Sequence, residues 1–401
     1  MNISIFGAPG RYIQGAGAIA ELGGFLKPLG SRVLVTGGHT GLEETRTARA
    51  ESFSAHAIEQ VEEVFRGETC DSEIARVAGA ASRANCSVIM ASGGGKVIDT
   101  VKAAAESLDI PAVIVPTIAS NDAPCSALAV IYNEDGTFAR LMPLKRSPAL
   151  VIADTEIIAR SPVRQLVSGM GDALATWFEA EACFRSGALN NFGANMTMAA
   201  LAIAKLCLDT LLQYGREARA SCEQQLVTPA LDRIVEANIL LSGLGFESGG
   251  VAVAHALSES LTLIASAGGS ASTHEHSVER EQRTGAAHSL GPVGASAITS
   301  AHAAAQAQAQ AHTHAHTHGE MVAFGLLVHM VLAGRPDSEL NEIRQFCKDV
   351  DLPVTAAELG FTDAGDLRAA AEDAASPGKP SHNLKQGITG AEIFEAMMSL
   401  K

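Results

Sequence analysis

Short runs of β-branched residues alternate with helical patterns over the first 160 residues of the chain. The runs are RVLVT at 32–36, SVIMA at 87–91, PAVIVP at 111–116, ALAVIY at 127–132 and ALVIAD at 149–154. Strands that alternate with helices are typical of a parallel sheet with helices on both faces. We therefore expect residues 1–160 to form a doubly wound α/β domain.

A hairpin is predicted inside this region. The sequence NEDG at 133–136 stands between ALAVIY and FARLMPL. Asn, Asp and Gly favour tight turns, so the two apolar runs are expected to pair antiparallel. We expect this hairpin to interrupt the parallel order and to lie at an edge of the sheet.

Beyond Ser161-Pro162 the pattern changes to long Ala- and Leu-rich segments with helical spacing. They are LATWFEAEACF, NMTMAALAIAKLCLDTLLQY, TPALDRIVEANILLSGLGF and EMVAFGLLVHMVLAG. The change predicts an all-helical second domain over 161–401. Within it, residues 265–317 hold Ala, Ser, Gly, Gln and His with almost no large aliphatic side chains. We expect a low-complexity, His-rich insertion there, disordered or loosely helical.

Composition and charge exclude several classes of function. The 401 residues are 47% hydrophobic and 18% charged, which is typical of a globular protein, and the formal net charge is -15. A nucleic-acid partner is not expected, because such binding needs a basic surface. Neither a signal peptide nor a run of eighteen apolar residues is found. Seven scattered cysteines without a CxxC pair predict reduced thiols. Together these features predict a cytoplasmic protein without a membrane partner.

The strongest candidate for a phosphate site is the glycine run that follows SVIMA. A strand is expected to end at Ala91, Gly93, Gly94 and Gly95 follow, and Lys96 opens a helix. Glycines let backbone N–H groups approach a pyrophosphate, and the helix N-terminus adds positive potential. The spacing matches neither GxGxxG nor a Walker A loop, so an ordinary tight turn is the alternative.

A second polar loop follows the next strand, within VPTIASNDAPCSALAVIY at 115–132. Its polar side chains are Thr117, Ser120, Asn121, Asp122 and Ser126. Since ligands of open α/β sheets bind at the carboxyl ends of strands, both loops are expected at one binding edge. Ser, Asn and Asp are also ordinary turn residues, which leaves a structural interpretation open.

Three helical segments contain a candidate metal site. Asp172 follows a Gly-Met-Gly turn and is expected in the first turn of a helix, where an acidic residue is also a common cap. His255 lies in a small, apolar helical stretch, and His318 precedes another apolar helix. One carboxylate and two imidazoles leave a coordination position open, which suits catalytic Zn²⁺ or Fe²⁺.

The choice of histidines is open at this point. Eight histidines lie between His274 and His318, and His316 is the main competitor for the third ligand. A lone buried histidine is also more often a hydrogen-bonded core residue than a metal ligand.

Taken together, several segments resemble the signature segments of the iron-containing alcohol dehydrogenase family, and in particular its polyol-oxidising members. The segments are GGGKVIDT, PTIASNDAPCSALAVIY, GMGDALATWFEA, AHA and HGEMVAFG. The resemblance covers nearly the whole chain except about 265–317. It implies an α/β nucleotide-binding domain, a helical metal-binding domain and an active site in the cleft between them. It also implies NAD-linked oxidation of glycerol, or a related vicinal diol, to a hydroxyketone such as dihydroxyacetone.

The resemblance implies roles for single residues as well. Gly94, Gly95 and Lys96 would line the coenzyme pyrophosphate. The rest of the dinucleotide would contact Thr117, Ser120, Ser126, Leu128 and Tyr132. Asp122 would hydrogen-bond a substrate hydroxyl, and Asp172, His255 and His318 would bind one divalent ion, zinc before iron. The protein is expected to be a homo-oligomer that acts on a small polyol.

The sequence departs from the family pattern in three places. After RVLV the family has an acidic residue for the adenosine ribose, whereas this chain has Thr36-Gly37-Gly38. The missing negative charge weakens discrimination against the 2′-phosphate of NADP, but no arginine stands immediately beside these residues to attract it. We therefore expect NAD to be preferred, with measurable use of NADP. The family's HNG after the first metal histidine is Ser258-Glu259-Ser260 here, which should alter substrate preference or rate. The loop before HGE is longer and rich in histidine.

Parts of the sequence are compatible with two other functions. A relative of the same superfamily could act on a phosphorylated substrate, as glycerol-1-phosphate dehydrogenase and dehydroquinate synthase types do, but such enzymes need a cluster of basic residues for the anion. Alternatively, the His-rich segment could make the protein a metal-binding or storage protein. Metal stoichiometry separates these, because a dehydrogenase retains about one tight ion per chain.

Overall fold

A parallel sheet forms the first part of the protein. The computed structural model describes residues 3–278 and 316–400, with side chains up to residue 265 and again from residue 316. Within these residues the strands are β1 Tyr12–Gly15, β2 Arg32–Gly37, β3 Glu59–Val64, β4 Val88–Gly93, β5 Ala112–Pro116, β6 Leu128–Tyr132, β7 Phe138–Pro143 and β8 Leu150–Asp154. Six of them form one sheet in the order β1-β8-β5-β4-β2-β3, and all neighbours are parallel. The predicted parallel sheet is confirmed.

Helices cover this sheet and build the rest of the described chain. The helices between the strands are α1 Leu22–Leu26, α2 His39–Ala55, α3 Asp71–Arg83 and α4 Gly95–Leu108. After β8 come α5 Thr155–Ala159, α6 Val163–Ser186, α7 Met198–Glu223, α8 Pro229–Glu236, α9 Ser242–Gly249 and α10 Val253–Val278. The last helices are α11 His318–Leu332, α12 Asp337–Asp349, α13 Ala364–Ala374 and α14 Gly390–Ser399. The predicted helical second half is thus confirmed for the described residues, while a domain boundary near residue 160 stays a prediction.

The predicted insertion at 265–317 is largely outside the described residues. The backbone of α10 continues to Val278, and the description resumes at His316. The prediction for the His-rich tract between these two points therefore lies outside the described residues.

The hairpin is present, but its predicted place is wrong. Strands β6 and β7 pair antiparallel in a separate two-stranded sheet rather than at an edge of the main sheet. Tyr132 donates its N–H to the carbonyl of Thr69, which fixes the hairpin beside the loop that precedes α3. The hairpin is therefore attached to the segment between β3 and α3.

Sequence patterns missed the two edge strands β1 and β3. The β3 sequence, EQVEEV, has alternating exposed positions and four acidic or amide side chains. Only one neighbour, β2, pairs with it, so its outer side chains face solvent. Charged residues at a sheet edge discourage pairing with other chains. Because they replace the apolar residues of a typical strand, the hydrophobic pattern did not predict β3.

The expectation that Asp172 follows a turn and starts a helix is also wrong. Helix α6 begins nine residues earlier, at Val163, and runs through both glycines before Asp172. A Cβ at Gly169 would lie 2.0 Å from the Ala119 carbonyl oxygen, and one at Gly171 would lie 2.3 Å from that of Gly319. These glycines therefore serve close helix packing, and they bring two other segments against the backbone of α6.

The apolar core continues from the sheet into the helical half. Val33 and Val35 on β2 pack with α1 and α2 on one face of the sheet. Leu34 points to the other face, where one cluster extends through α4 to α6 and α11 and includes Leu174 and Phe324. All seven cysteines are buried and free, as expected of reduced thiols.

Helix α7 is long and apolar enough, by length and composition, to cross a membrane. It has 26 residues and a mean hydropathy of 1.2 over 18 of them, a third of which are buried inside the protein. A bent pair, Pro229–Gly249 with Val253–Ala265, passes the same test. Leu208 and Leu211 of α7 belong to the shared core, and Lys205 pairs with Asp209 on the same helix.

Asp154 gives a test of how the end of β8 is fixed. Its buried carboxylate caps α5 through the N–H of Glu156 and Ile157, and it also accepts the N–H of Gly17 and Ile19 at 3.2 and 3.0 Å. We expect Asp154→Ala to lower the free energy of unfolding by about 2–4 kcal/mol, because several buried donors lose their acceptor.

The measurement is urea denaturation followed by circular dichroism. Asp154→Asn is the control, because it keeps one carbonyl acceptor and should lose about half as much stability. An alanine variant as stable as the parent protein would contradict this role.

Candidate active site

The glycine turn lies at the carboxyl end of β4. Gly94 is the N-cap of α4, no side chain caps this helix, and its first turn has no acidic residue. A Cβ at Gly94 would lie 2.7 Å from Ile118, and one at Gly95 would lie 2.7 Å from Asn121. The turn is thus bare backbone at a helix N-terminus, which is the geometry that holds phosphate groups.

Lys96 lies at the outer side of this turn. Its ammonium group, with 54% of the side chain exposed, contacts Glu68 at 2.6 Å and lies 5.7 Å from the ring centroid of Tyr132. Burial, together with the negative charge of Asp99, raises the pKa of the Tyr132 hydroxyl to about 12. A neutral aromatic ring and a cation therefore face the same side of the glycine turn.

The polar loop between β5 and β6 lies next to the turn. Gly93 and Pro116 are neighbours in the sheet, and the N–H of Thr117 reaches the Gly93 carbonyl at 3.2 Å. The side chains of Thr117, Ser120 and Ser126 are at least nine-tenths buried. Both predicted loops therefore lie at one edge of the sheet.

Helices of the second half hold this loop from the other side. Asn238 donates to the Ala119 carbonyl at 3.0 Å, and Ser168 donates to the Ser120 carbonyl at 3.2 Å. Asn238 belongs to a single π-helical turn, Ala237–Leu241, between α8 and α9. Such turns are frequent at functional sites, because they displace a side chain from the helical register.

Asp122 projects from the loop toward α9. Its Oδ2 accepts a hydrogen bond from Ser242 at 2.9 Å. Burial and the nearby Asp172 carboxylate raise the pKa of the Asp122 carboxyl to about 7, although the charges of His255 and His318 oppose this. The loop therefore contacts the helical half through the Asp122 carboxyl, whose raised pKa means that its charge changes near neutral pH.

Asp172, His255 and His318 come together behind Asp122. Asp172 lies in the middle of α6, His255 is in the first turn of α10, and His318 is the first residue of α11. Their potential ligand atoms all lie within 4.8 Å of one another. Nε2 of His255 and Nε2 of His318 are 3.3 and 3.4 Å from Oδ1 of Asp172.

The Asp172 carboxylate is suited to a cation. It is 1% exposed, and neither of its oxygens has a hydrogen-bond partner among the described residues. Burial alone would raise the pKa of this carboxyl, but the two imidazoles hold it well below its usual range. A buried charge without hydrogen bonds is costly unless a metal or an ion pair compensates it. The donor set therefore fits a divalent ion with an open position on the side of His318, whose side chain is 45% exposed.

Glu179 is the site residue that sequence reasoning missed. Its fully buried carboxylate contacts Nδ1 of His255 at 2.5 Å and accepts the N–H groups of Ala252 and His255. Burial would raise the pKa of Glu179, yet His255 lowers it below its usual range. A carboxylate on the far nitrogen of a ligating imidazole orients the ring and increases its basicity. The available signal was spacing, because Glu179 follows Asp172 by two helical turns.

The second imidazole has a weaker partner. Ser258 lies 3.4 Å from Nδ1 of His318, at the position where the family pattern has its second histidine. Glu259, next to it, pairs with Lys379 at 3.3 Å, and Lys379 also contacts Asp373. Two of the residues that depart from the pattern are thus connected to Asp373: Glu259 through Lys379, and Ser260 directly.

Comparisons with known proteins identify the family of this chain. Residues 9–155 match the profile described as iron-containing alcohol dehydrogenase. Glycerol dehydrogenase of Escherichia coli O6:H1 is 41% identical over 98% of this chain and 95% of its own length. The chain belongs to the iron-containing alcohol dehydrogenase family.

Solved structures of the family show the same architecture. Glycerol dehydrogenase from Schizosaccharomyces pombe superposes with a TM-score of 0.84 at 31% identity, over 100% of this chain and 91% of the other. A probable glycerol dehydrogenase from Sinorhizobium meliloti 1021 gives 0.81 at 35% identity, over 99% and 98% of the two chains. The iron-containing alcohol dehydrogenase fold therefore extends over both halves of the protein.

The family's acidic residue at the end of β2 has no counterpart here. A Cβ at Gly38 would meet nothing within 4 Å, whereas one at Gly37 would lie 2.4 Å from the Ser92 carbonyl oxygen. Arg46, the nearest arginine along α2, pairs with Glu43 and Glu62. The side-chain position at Gly38 is therefore open, and the chain itself supplies no acidic residue at 36–38.

Glu179 gives a prediction about metal affinity. We expect Glu179→Gln to weaken zinc binding about 10–100-fold, because the amide cannot stabilise the His255 ring as a carboxylate does. Titration of the metal-free protein against a chromophoric zinc chelator measures this. Glu181→Gln is the matched control, since Glu181 is on the same helix but pairs with Arg335. Equal zinc affinity in the two variants would show that Glu179 does not support the site.

Proposed function

We propose that the protein is a metal-dependent, NAD-linked dehydrogenase that oxidises glycerol, or a related vicinal diol, to the corresponding hydroxyketone. The observation that carries the proposal is the buried Asp172 carboxylate, which has no hydrogen-bond partner among the described residues and lies within ligand distance of two imidazoles. The uncapped glycine turn at the start of α4 supports the coenzyme part of the proposal. The 41% identity to a glycerol dehydrogenase over nearly the whole chain supports the substrate class.

The protein side chains would bind and orient the reactants. A divalent ion supplies Lewis-acid chemistry and a nicotinamide coenzyme accepts hydride when both are bound. Asp172, His255 and His318 are the proposed ligands of the ion, and Glu179 fixes the His255 ring. Asp122, held by Ser242, is the proposed acceptor for a substrate hydroxyl. The chain contributes mainly alignment of two bound reactants.

The coenzyme is proposed to lie along the carboxyl edge of the sheet. Gly94, Gly95 and Lys96 are the proposed pyrophosphate contacts, supported by the uncapped start of α4. The proposed contacts of the remaining dinucleotide are Thr117, Ser120, Ser126, Leu128 and Tyr132. Among these, the Ser126 hydroxyl lies 3.4 Å from Lys102, and Tyr132 faces Lys96.

Several finer points are part of the proposal. Zinc is the proposed metal because two imidazoles and one carboxylate suit it. We further propose a cytoplasmic homo-oligomer with a domain division near residue 160. A phosphorylated substrate is not favoured, because the loop between β5 and β6 has the sequence SNDAPCSAL rather than a cluster of basic residues.

Metal removal tests the proposal most simply. Exhaustive chelation should abolish glycerol oxidation, and added Zn²⁺ should restore it, because the proposed reaction depends on the Lewis-acid chemistry of the ion. Asp172→Asn should lose both the metal and the rate, since a neutral amide is a weak ligand for a dication. Asp209→Asn, an exposed change on α7, should lose neither.

The readouts are initial rates with glycerol, 1,2-propanediol and glycerol phosphate, together with elemental analysis. A fully active protein that contains no metal would contradict the mechanism. A preference for glycerol phosphate would contradict the substrate class.

The end of β2 gives a prediction about the coenzyme. Gly38 has φ −68° and ψ 163°, so any residue fits its backbone, and its side-chain position is open. We expect Gly38→Asp to raise the preference for NAD over NADP at least tenfold, about 1.4 kcal/mol, because a carboxylate accepts the ribose 2′-hydroxyl and repels a 2′-phosphate.

The measurement is kcat/KM with each coenzyme. Gly38→Asn is the matched control, because it has the same shape and capping ability without the charge. An unchanged coenzyme ratio in Gly38→Asp would show that the ribose does not lie at Gly38.

A further inference from the structure

Lys102 is a buried cation outside the proposed ligand and substrate contacts. Its side chain is 0% exposed and lies two turns into α4, the helix that starts at the glycine turn. The ammonium group donates to the Ala123 carbonyl at 2.8 Å and to the Leu128 carbonyl, and it lies 3.4 Å from both oxygens of Ser126. One cation therefore holds three carbonyls of the loop that carries Asp122.

Asp99 completes this contact from the same helix. One of its oxygens is 2.9 Å from the Lys102 ammonium, and the other accepts the N–H of Val130 at 3.0 Å. The i,i+3 pair thus bonds both to the end of the loop and to β6. These contacts therefore link α4, which starts at the glycine turn, to the loop and to β6.

Glu247 holds the same loop from the helical half. This residue of α9 is 1% exposed, and its Oε1 accepts the N–H of Ala127. The carbonyls on either side of Ala127 are thus bonded by a cation of α4, while the amide between them is bonded by a carboxylate of α9. Ser242, which binds Asp122, begins the helix on which Glu247 lies.

We propose that Lys102 and Glu247 are positioning residues that clamp residues 122–128 between the two halves and thereby hold Asp122 at the substrate. Neither residue needs to touch a reactant for this role. Two polar side chains are needed because the loop has no regular partner for its backbone: the carbonyls require a donor with several N–H groups, and the amide of Ala127 requires an acceptor. An apolar core residue would leave these buried backbone groups without partners.

The alternative is that Lys102 only contributes to stability. Burying an ammonium group is costly, and a well-packed apolar residue often stabilises a protein as well as a buried ion pair does. Stability alone therefore does not account for a cation at this position. The two interpretations differ in what changes when the charge is removed: loop position and substrate affinity, or stability alone.

The test compares Lys102→Met with Arg49→Met. Arg49 is equally buried, but it pairs with Glu62 and Gln60 beside β3 and does not contact the loop. Both variants should melt at a lower temperature than the parent. Only Lys102→Met should increase hydrogen exchange of the amides of 118–128, by tenfold or more, and raise the KM for glycerol at least tenfold.

Glu247→Leu is the second variant, and it decides the matter if Lys102→Met fails to fold. We expect it to increase exchange most at 125–128 and to raise the same KM. The proposal is overturned if the loop amides of Lys102→Met and Glu247→Leu exchange no faster than those of Arg49→Met. It is also overturned if either variant folds and keeps the KM of the parent protein.

The inference rests on the proposed function only through the role of Asp122. If the parent protein does not oxidise any polyol, the proposed function fails, while hydrogen exchange in the metal-bound protein still decides whether the two residues clamp the loop. If the parent is active and the loop exchanges normally in all variants, the clamp fails and the proposed function stands.

Discussion

A buried carboxylate without hydrogen bonds organises the candidate site. Asp172 lies in the middle of α6, neither of its oxygens accepts a hydrogen bond from the described residues, and the Nε2 atoms of two imidazoles from other helices lie 3.3 and 3.4 Å from Oδ1. Such an arrangement is unfavourable in an apolar interior unless a cation occupies the space between these groups. Folding of the helical half therefore creates a negatively charged site that suits a divalent ion. Glu179 supports this site, because its carboxylate contacts Nδ1 of His255.

Close helix packing makes this arrangement possible. The glycines at 169 and 171 allow the Ala119 carbonyl and the start of α11 to lie directly against α6. The first contact brings the loop that carries Asp122 to the helical half, and the second brings His318 to Asp172. A side chain at either position would separate the groups that the proposed chemistry requires to be adjacent.

Much of the architecture could be predicted from the sequence, because the central strands β2, β4, β5 and β8 are apolar runs between helical patterns. The edge strand β3 could not, since its side chains are those of a solvated surface. The turn predicted before Asp172 was wrong because a local pattern cannot distinguish a glycine that bends the chain from one that permits a close contact.

Some residues of the candidate site could likewise be predicted from the sequence, and others could not. Residues on short, distinctive segments, such as Gly94, Asp122 and His318, can be proposed from the sequence alone. Glu179, Lys102 and Glu247 cannot, because each acts through a partner far away in the sequence: His255, the loop at 123–128 and Ala127. Only the fold shows that these ordinary helical residues meet the site.

The central claim is that one divalent ion binds between Asp172, His255 and His318. Anomalous X-ray diffraction at the zinc edge, from crystals of the zinc-loaded full chain, tests it directly. The account predicts one strong peak per chain, about 2.0–2.2 Å from a carboxylate oxygen of Asp172 and from Nε2 of both histidines. Zinc found instead among the histidines at 274–316, with no peak at Asp172, would contradict it.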